Sequence, residues 1–333
     1  MRAVVVESFG GPEVLGVVEV PDPAPGQGQV LIEVEAAGVN RADVLTRAGE
    51  YHRAGRPPVV LGLEAAGTVT ALGEGASGFR VGQKVVAMGA AGAPGFYAEQ
   101  AAVSAERVVA LPDGLDPAQA AALPVAWHSA WYCLHNLGRV QPGETVLIHA
   151  AASGVGSAAV QIAVAAGARV IAAAGTPVKT EWVAALGAHE VLDSRALTGD
   201  ELLARVADLT DGRGAEVVLD TVGGDVFALS LKAAAHGGRV MALANVALAP
   251  STIDTRDFYP KNVSIHGYQS TNLIEHGYDP RGDLGQLIAK VAHGELRVPV
   301  DSVFPLEDAA GAHRRLESRA TRGKVVLTTG APA

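Results

Sequence analysis

The chain of 333 residues has a single cysteine, Cys133, so it cannot close an internal disulfide; one free thiol fits a reducing compartment. It has no long basic run and a formal net charge of −9, which argues against nucleic acid as a partner. No apolar stretch approaches the roughly 20 residues that a spanning helix needs, so no membrane partner is expected. Arg2 is followed by only four apolar residues before Glu7, too few for a secretory signal, and the expected location is the cytoplasm. Charged residues make up only 18% of the chain and apolar residues 49%, which excludes a disordered protein and supports large buried cores. The length suits about two domains.

One more absence falls inside the most informative stretch, Thr145 to Leu186. Val146 to Ile148 is a short apolar run that suits a buried parallel strand. Ser153, Gly154, Val155 and Gly156 follow, as a glycine turn that lets a pyrophosphate approach the backbone. A helix opening near Gly156 then offers free N–H groups and the positive end of its dipole. The pattern can be framed as Gly154-x-Gly156-x-x-Ala159 or as Ala151-x-Ser153-x-x-Gly156. A second strand, Arg169 to Ala174, ends without an acid. Dinucleotide folds that prefer NAD place Asp or Glu about 20 residues past the glycines to hold the ribose 2′-hydroxyl. Here that place holds Ala174-Gly175-Thr176, with Lys179 beyond, which suits a 2′-phosphate and predicts NADPH.

The first 110 residues are rich in Val, Gly and Pro. Short runs at Arg2–Val6, Val30–Ala37, Ala66–Leu72, Lys84–Ala87 and Arg107–Ala110 predict an all-β, barrel-like domain. From Asp116 to about Gly138 the pattern is helical. Strands near 145–150, 169–174, 190–193, 216–220, 238–243 and 263–267 then alternate with helices, as in a doubly wound sheet. A helix from about Leu306 to Ser318 and a strand from Lys324 to Thr328 close the chain.

These elements carry the motifs GGPEVL, AAGVNRADVLTRAGEY (36–51), PPVVLGLEAAGTVTALGEG (57–75), GFRVGQKVVA (78–87), AALPVAWHSAW (121–131), LDTVGG (219–224) and HRRLESRATRGKVVL (313–327). With them the chain resembles the zinc-free quinone oxidoreductase family of the medium-chain dehydrogenase/reductase superfamily, over essentially its whole length. The resemblance implies an α/β protein with two domains and a cleft between them. The first is a GroES-like β-barrel catalytic domain over 1–120, completed by 268–333. The second is a Rossmann NADP(H)-binding domain over 121–267.

Zinc-dependent relatives place Cys–His in the first loop and Gly-His-Glu in the second. Here Asn40 holds the cysteine position and Leu63 the histidine position, ahead of Glu64. Leucine cannot ligate zinc, and a catalytic site needs about three protein ligands, so no metal is expected. Asp43 and Glu64 are read as mainly structural, and His128 and His135 as packed or surface helix positions. By resemblance Asn40 lines the site near the nicotinamide. Tyr51 lies over the substrate, as a proton donor or as a packing wall. Family members often carry a second tyrosine where Leu45 stands.

Further contacts implied by the resemblance are Ser153, Gly154, Val155 and Gly156 on the pyrophosphate, and Thr176, Lys179 and Arg319 on the 2′-phosphate. Ser194 replaces a family tyrosine near that phosphate, and Ser129 replaces a threonine at the nicotinamide amide. Asn245, Val246 and Tyr268 flank the nicotinamide at the carboxyl edge of the sheet. The edge strand Val263–Gly267 pairs with its copy in the family, which predicts a homodimer. The implied reaction is NADPH-dependent, metal-free reduction of a quinone. The alternatives are reduction of α,β-unsaturated ketones, aldehydes or enoyl thioesters, and, in another class, a non-catalytic NADPH-binding structural protein.

Overall fold

The computed structural model describes residues 1–90 and 93–330. Residues 1–128 together with those from 271 onward form one compact unit, and residues 129–270 form the other. Residues 331–333, the last of the segment expected to complete the first domain, lie outside the described residues.

In the central unit six strands lie in one parallel sheet: Thr145–Ile148, Arg169–Ala174, Glu190–Asp193, Ala215–Asp220, Ala234–Ala242 and Ser264–Gly267. Their spatial order is third, second, first, fourth, fifth, sixth, the doubly wound Rossmann arrangement. The reason is visible in the strands themselves. Thr145–Ile148 is buried along its whole length, as a strand covered on both faces by helices must be. Leu147, Ile171, Val218, Leu231 and Val240 share one core, where truncation of a single side chain to alanine costs about 2–5 kcal/mol. Ser153, Thr176 and Thr198 end the loops after the first three strands. Each caps the next helix with its hydroxyl oxygen: Gly154–Ala165, Pro177–Ala185 and Gly199–Leu209. The helix after the glycine turn therefore opens at Gly154, two residues before the expected point.

In the other unit a seven-stranded sheet runs Val300–Pro305, Lys324–Thr328, Gln29–Val39, Glu64–Leu72, Lys84–Met88, Val108–Ala110, with Gln100–Ser104 also paired to Gln29–Val39. Alternate residues of Gln29–Val39 point into a core of Ile32, Val34, Val69, Val85, Phe96 and Leu327. The C-terminal strand Lys324–Thr328 lies antiparallel against Gln29–Val39, so the chain does return to its first fold.

The expected barrel is not closed, because Val300–Pro305 and Val108–Ala110 end the sheet without pairing to each other. Val300–Pro305 finishes in a proline without an N–H, and its Asp301 is tied to Arg315, features that suit an edge. Four strands escape the apolar pattern: Leu15–Glu19, Val59–Val60, Gln100–Ser104 and Val300–Pro305. The segment 117–137 is helical but irregular. Wide π-type turns at Leu123–Trp127 and Tyr132–Leu137 flank a short α-helix, and Pro124 removes one of the ladder's donors.

Gly156 decides the framing of the glycine motif. A Cβ there would collide with the carbonyl oxygen of Ala150 and lie 2.6 Å from Ala151 Cα. It is thus the glycine that lets helix and turn pack closely, the third position of the Ala151-x-Ser153-x-x-Gly156 frame. Because the obstructing atoms are backbone, Gly156→Ala should lower stability by about 1–3 kcal/mol. Urea unfolding checks this, and an unchanged midpoint would contradict it.

Candidate active site

The carboxyl edge of the parallel sheet gathers most of the predicted cofactor residues. At the first strand, Ser153 Oγ accepts from Gly156 N–H at 3.0 Å, while the amides of Gly154 and Val155 begin a helix and have no intrahelical acceptor. Such an end favours an anion. At the second and third strands, Thr176 accepts from Lys179 N–H at 3.3 Å, and Ser194 N–H donates to Ala174 O at 2.9 Å. Asp193, in register with Ala174, is turned to its own loop, where Oδ1 accepts from the amides of Arg195 and Ala196.

Past the fifth strand, Asn245 packs on Gly223 and donates from Nδ2 to Ala249 O at 2.9 Å, which shapes the loop carrying Val246. Past the sixth, Tyr268 is buried, stacks at 5.4 Å on Tyr132 and hydrogen-bonds Ser129. Burial raises its phenol well above the ordinary range, so it stays neutral. Ser129 and Tyr268, more than a hundred residues apart, are thus brought into contact.

The other unit holds Asn40, Tyr51 and Arg319. Asn40 caps the helix Arg41–Ala48, with its backbone N–H donating to Asp43 Oδ2 at 2.8 Å. Its side chain belongs to a buried cluster. Lys324 Nζ donates to Glu64 Oε1 at 2.6 Å, to Asn40 Oδ1 at 2.7 Å and to Val39 O at 3.1 Å, which uses all three ammonium protons. Glu64 accepts in addition from Asn40 Nδ2 at 2.9 Å and from Val125 N–H at 2.7 Å. A cation on one side and a carboxylate on the other fix the orientation of the Asn40 amide. Its second N–H goes to Gly38 O at 3.3 Å.

A second buried chain adjoins the first. Arg47 pairs with Glu317 at 2.7 Å and faces His313 Nδ1 at 3.4 Å. An arginine can only donate, so His313 Nδ1 accepts and its Nε2–H donates to Tyr97 Oη at 3.3 Å; Tyr97 in turn donates to Asp43 Oδ2 at 3.3 Å. Burial lowers His313 to about 3 and raises Asp43 to about 7. At pH 7 His313 is therefore neutral and Asp43 about half protonated, beside the charged pair.

Tyr51 is partly exposed, edge-on to His52 at 4.7 Å. Arg319 is exposed and holds a left-handed backbone, φ 54°. His128 is a packed histidine: burial lowers it to about 4, and Nε2 bonds Tyr278 Oη at 2.9 Å, which donates to Asp283 at 2.5 Å.

Residues 26–113 match the family described as alcohol dehydrogenase GroES-like domain, and residues 186–327 the family described as zinc-binding dehydrogenase. The quinone oxidoreductase of Sus scrofa is 35% identical over 329 residues, covering 98% of this chain and 97% of the pig protein. The chain belongs to the quinone oxidoreductase-like family of the medium-chain dehydrogenase/reductase superfamily. A structure of Escherichia coli quinone oxidoreductase complexed with NADPH has a TM-score of 0.91 at 30% identity, covering 99% of this chain and 100% of that one. A phenolphthiocerol/phthiocerol polyketide synthase of Mycobacterium tuberculosis is 36% identical over 335 residues; they cover 97% of this chain, which spans only 14% of the synthase.

One family description names zinc, and the residues of this chain do not fit a catalytic zinc. Leu63 offers no ligand atom, Asn40 is committed to its neighbours, and the ammonium of Lys324 lies against Glu64. Among the described residues no group of three or more His, Cys, Asp or Glu could hold a metal ion.

Lys324, Arg47, Tyr97 and His313 were not singled out by sequence. The available signal was a lysine opening an otherwise apolar strand, Lys324-Val-Val-Leu, and a glutamate opening another, Glu64-Ala-Ala-Gly.

The raised Asp43 has a defined consequence. Unfolded, Asp43 ionises near 3.8; folded, it holds its proton to about 7. Between these values the native state binds more protons, so this residue makes stability fall as pH rises. Relative to Asp43→Asn, the wild-type protein should therefore lose on the order of 3 kcal/mol between pH 4 and pH 8. Urea titrations of both proteins at the two pH values check this, and a pH-independent difference would contradict it.

Proposed function

We propose that this oxidoreductase reduces quinones with NADPH by hydride transfer, without a metal. The observation that supports the reading is the Lys324–Glu64 pair beside Asn40, in which an ammonium already occupies the carboxylate that a metal would need. An acceptor reduced without one must delocalise its own developing charge, as a quinone does. NADPH supplies the hydride when bound.

The chain's part is to bind, orient and exclude water. Ser153, Gly154, Val155 and Gly156 take the pyrophosphate. Thr176, Lys179, Ser194 and Arg319 serve the 2′-phosphate, favoured over a bare hydroxyl because no acid follows the second strand. Asn40, Ser129, Asn245, Val246 and Tyr268 orient the nicotinamide end, with Asn40 accepting through Oδ1. Tyr51 walls the substrate and donates to its reduced oxygen. The edge strand Ser264–Gly267, with Ile265 exposed, is read as the dimer seam, where two copies continue one sheet.

The match to a mycobacterial polyketide synthase favours a second reading, reduction of an α,β-unsaturated thioester. NADPH oxidation against a panel of quinones, enals and enoyl thioesters separates the two. We expect kcat/KM for quinones to exceed the others by about tenfold or more, a difference of about 1.4 kcal/mol, unchanged by exhaustive chelation. Preference for thioesters would replace the first reading with the second. Loss on chelation, restored by zinc, would overturn the metal-free mechanism.

A further inference from the structure

The loop after the third strand brings a residue to the second strand that none of the preceding assignments uses. Ala174, the last residue of the second strand, pairs in register with Asp193, the last of the third. Ser194 N–H then bonds back to Ala174 O at 2.9 Å, and Asp193 Oδ1 holds the amides of Arg195 and Ala196 at 2.9 and 3.2 Å. This turn lays the stem of Arg195 across Gly175. A Cβ added to Gly175 would sit 3.3 Å from Arg195 Nε, 3.4 Å from Cγ and 3.5 Å from Cδ. The side chain thus lies against bare backbone, at the strand end where a nucleotide-binding sheet meets the adenosine ribose.

No hydrogen bond or ion pair engages this guanidinium among the described residues, although Asp193 is only two positions away. Asp193 serves the turn instead, so the group that faces outward at this corner is cationic. Thr176, at the same strand end, opens the helix Pro177–Ala185 and adds the positive end of its dipole.

We propose that Arg195 is a specificity-determining residue that grips the 2′-phosphate of NADPH, its stem held beside Gly175 by the turn. The inference rests on the NADPH reading above. A planar guanidinium suits a phosphate because it donates two parallel hydrogen bonds, and an arginine near this strand end is a general means of accepting a 2′-phosphate.

The test is calorimetric binding of 2′,5′-ADP and 5′-AMP to the wild-type protein and to Arg195→Gln and Arg195→Lys. Arg195 is exposed, so neither variant threatens folding. Wild type should prefer 2′,5′-ADP. Arg195→Gln should weaken 2′,5′-ADP about 10- to 100-fold and leave 5′-AMP unchanged, as expected for loss of charge-assisted hydrogen bonds. Arg195→Lys should recover only part of the loss, because a lysine is a point charge without the fork. If wild type discriminates and Arg195→Gln discriminates equally well, the Arg195 assignment is overturned while the NADPH reading stands. If wild type does not discriminate at all, the NADPH reading fails and the assignment falls with it.

Discussion

The buried ion pair of Glu64 and Lys324 is the interaction on which the GroES-like unit depends. Neither side chain reaches solvent to any useful extent, and charges of this kind persist in a protein interior only when every donor and acceptor is met. Here they are. The pair joins the end of strand Gln29–Val39, the start of Glu64–Leu72, the start of Lys324–Thr328 and the turn at Val125. Three of these segments come from the N-terminal part of the chain and one from its last residues. The returning C-terminal segment therefore contributes more than a strand: it brings the cation that neutralises Glu64.

The same pair shapes what Asn40 can do. In isolation an asparagine at that position offers two donors and an acceptor. Held between Lys324 and Glu64, the amide is fixed in one orientation. In the neighbouring chain from Arg47 through His313 and Tyr97 to Asp43, burial keeps His313 neutral and leaves Asp43 about half ionised at pH 7. The floor of this region is thus polar and ordered, which suits the orientation of an acceptor.

Much of the fold was legible because apolar runs announce buried strands. Arg2–Val6, Arg169–Ala174 and Lys324–Thr328 have the bounds their sequences suggest. Leu15–Glu19 and Val300–Pro305 were hidden because they are half-exposed and carry polar residues, so they read as loops. The open ends of the sheet were hidden for a related reason, since short alternating runs do not say whether the last strand meets the first. The irregular helix at 117–137 keeps a helical pattern while Pro124 interrupts the ladder. At the site, Asn40 and the glycine turn were visible from local motifs. Lys324 was not, because its partner lies 260 residues away and nothing local marks a lysine as buried. Arg195 escaped for the same reason: only the register of two adjacent strands places it on Gly175.

A double-mutant cycle on Glu64→Gln and Lys324→Met, read as unfolding free energy in urea, tests the central claim most directly. Each single change leaves a buried charge or its partner uncompensated, and should cost about 3–5 kcal/mol. The double variant, with both charges gone, should cost clearly less than the sum, with a coupling above about 1 kcal/mol. Costs that add to within about 0.5 kcal/mol would mean that the two residues act independently, and would contradict the account.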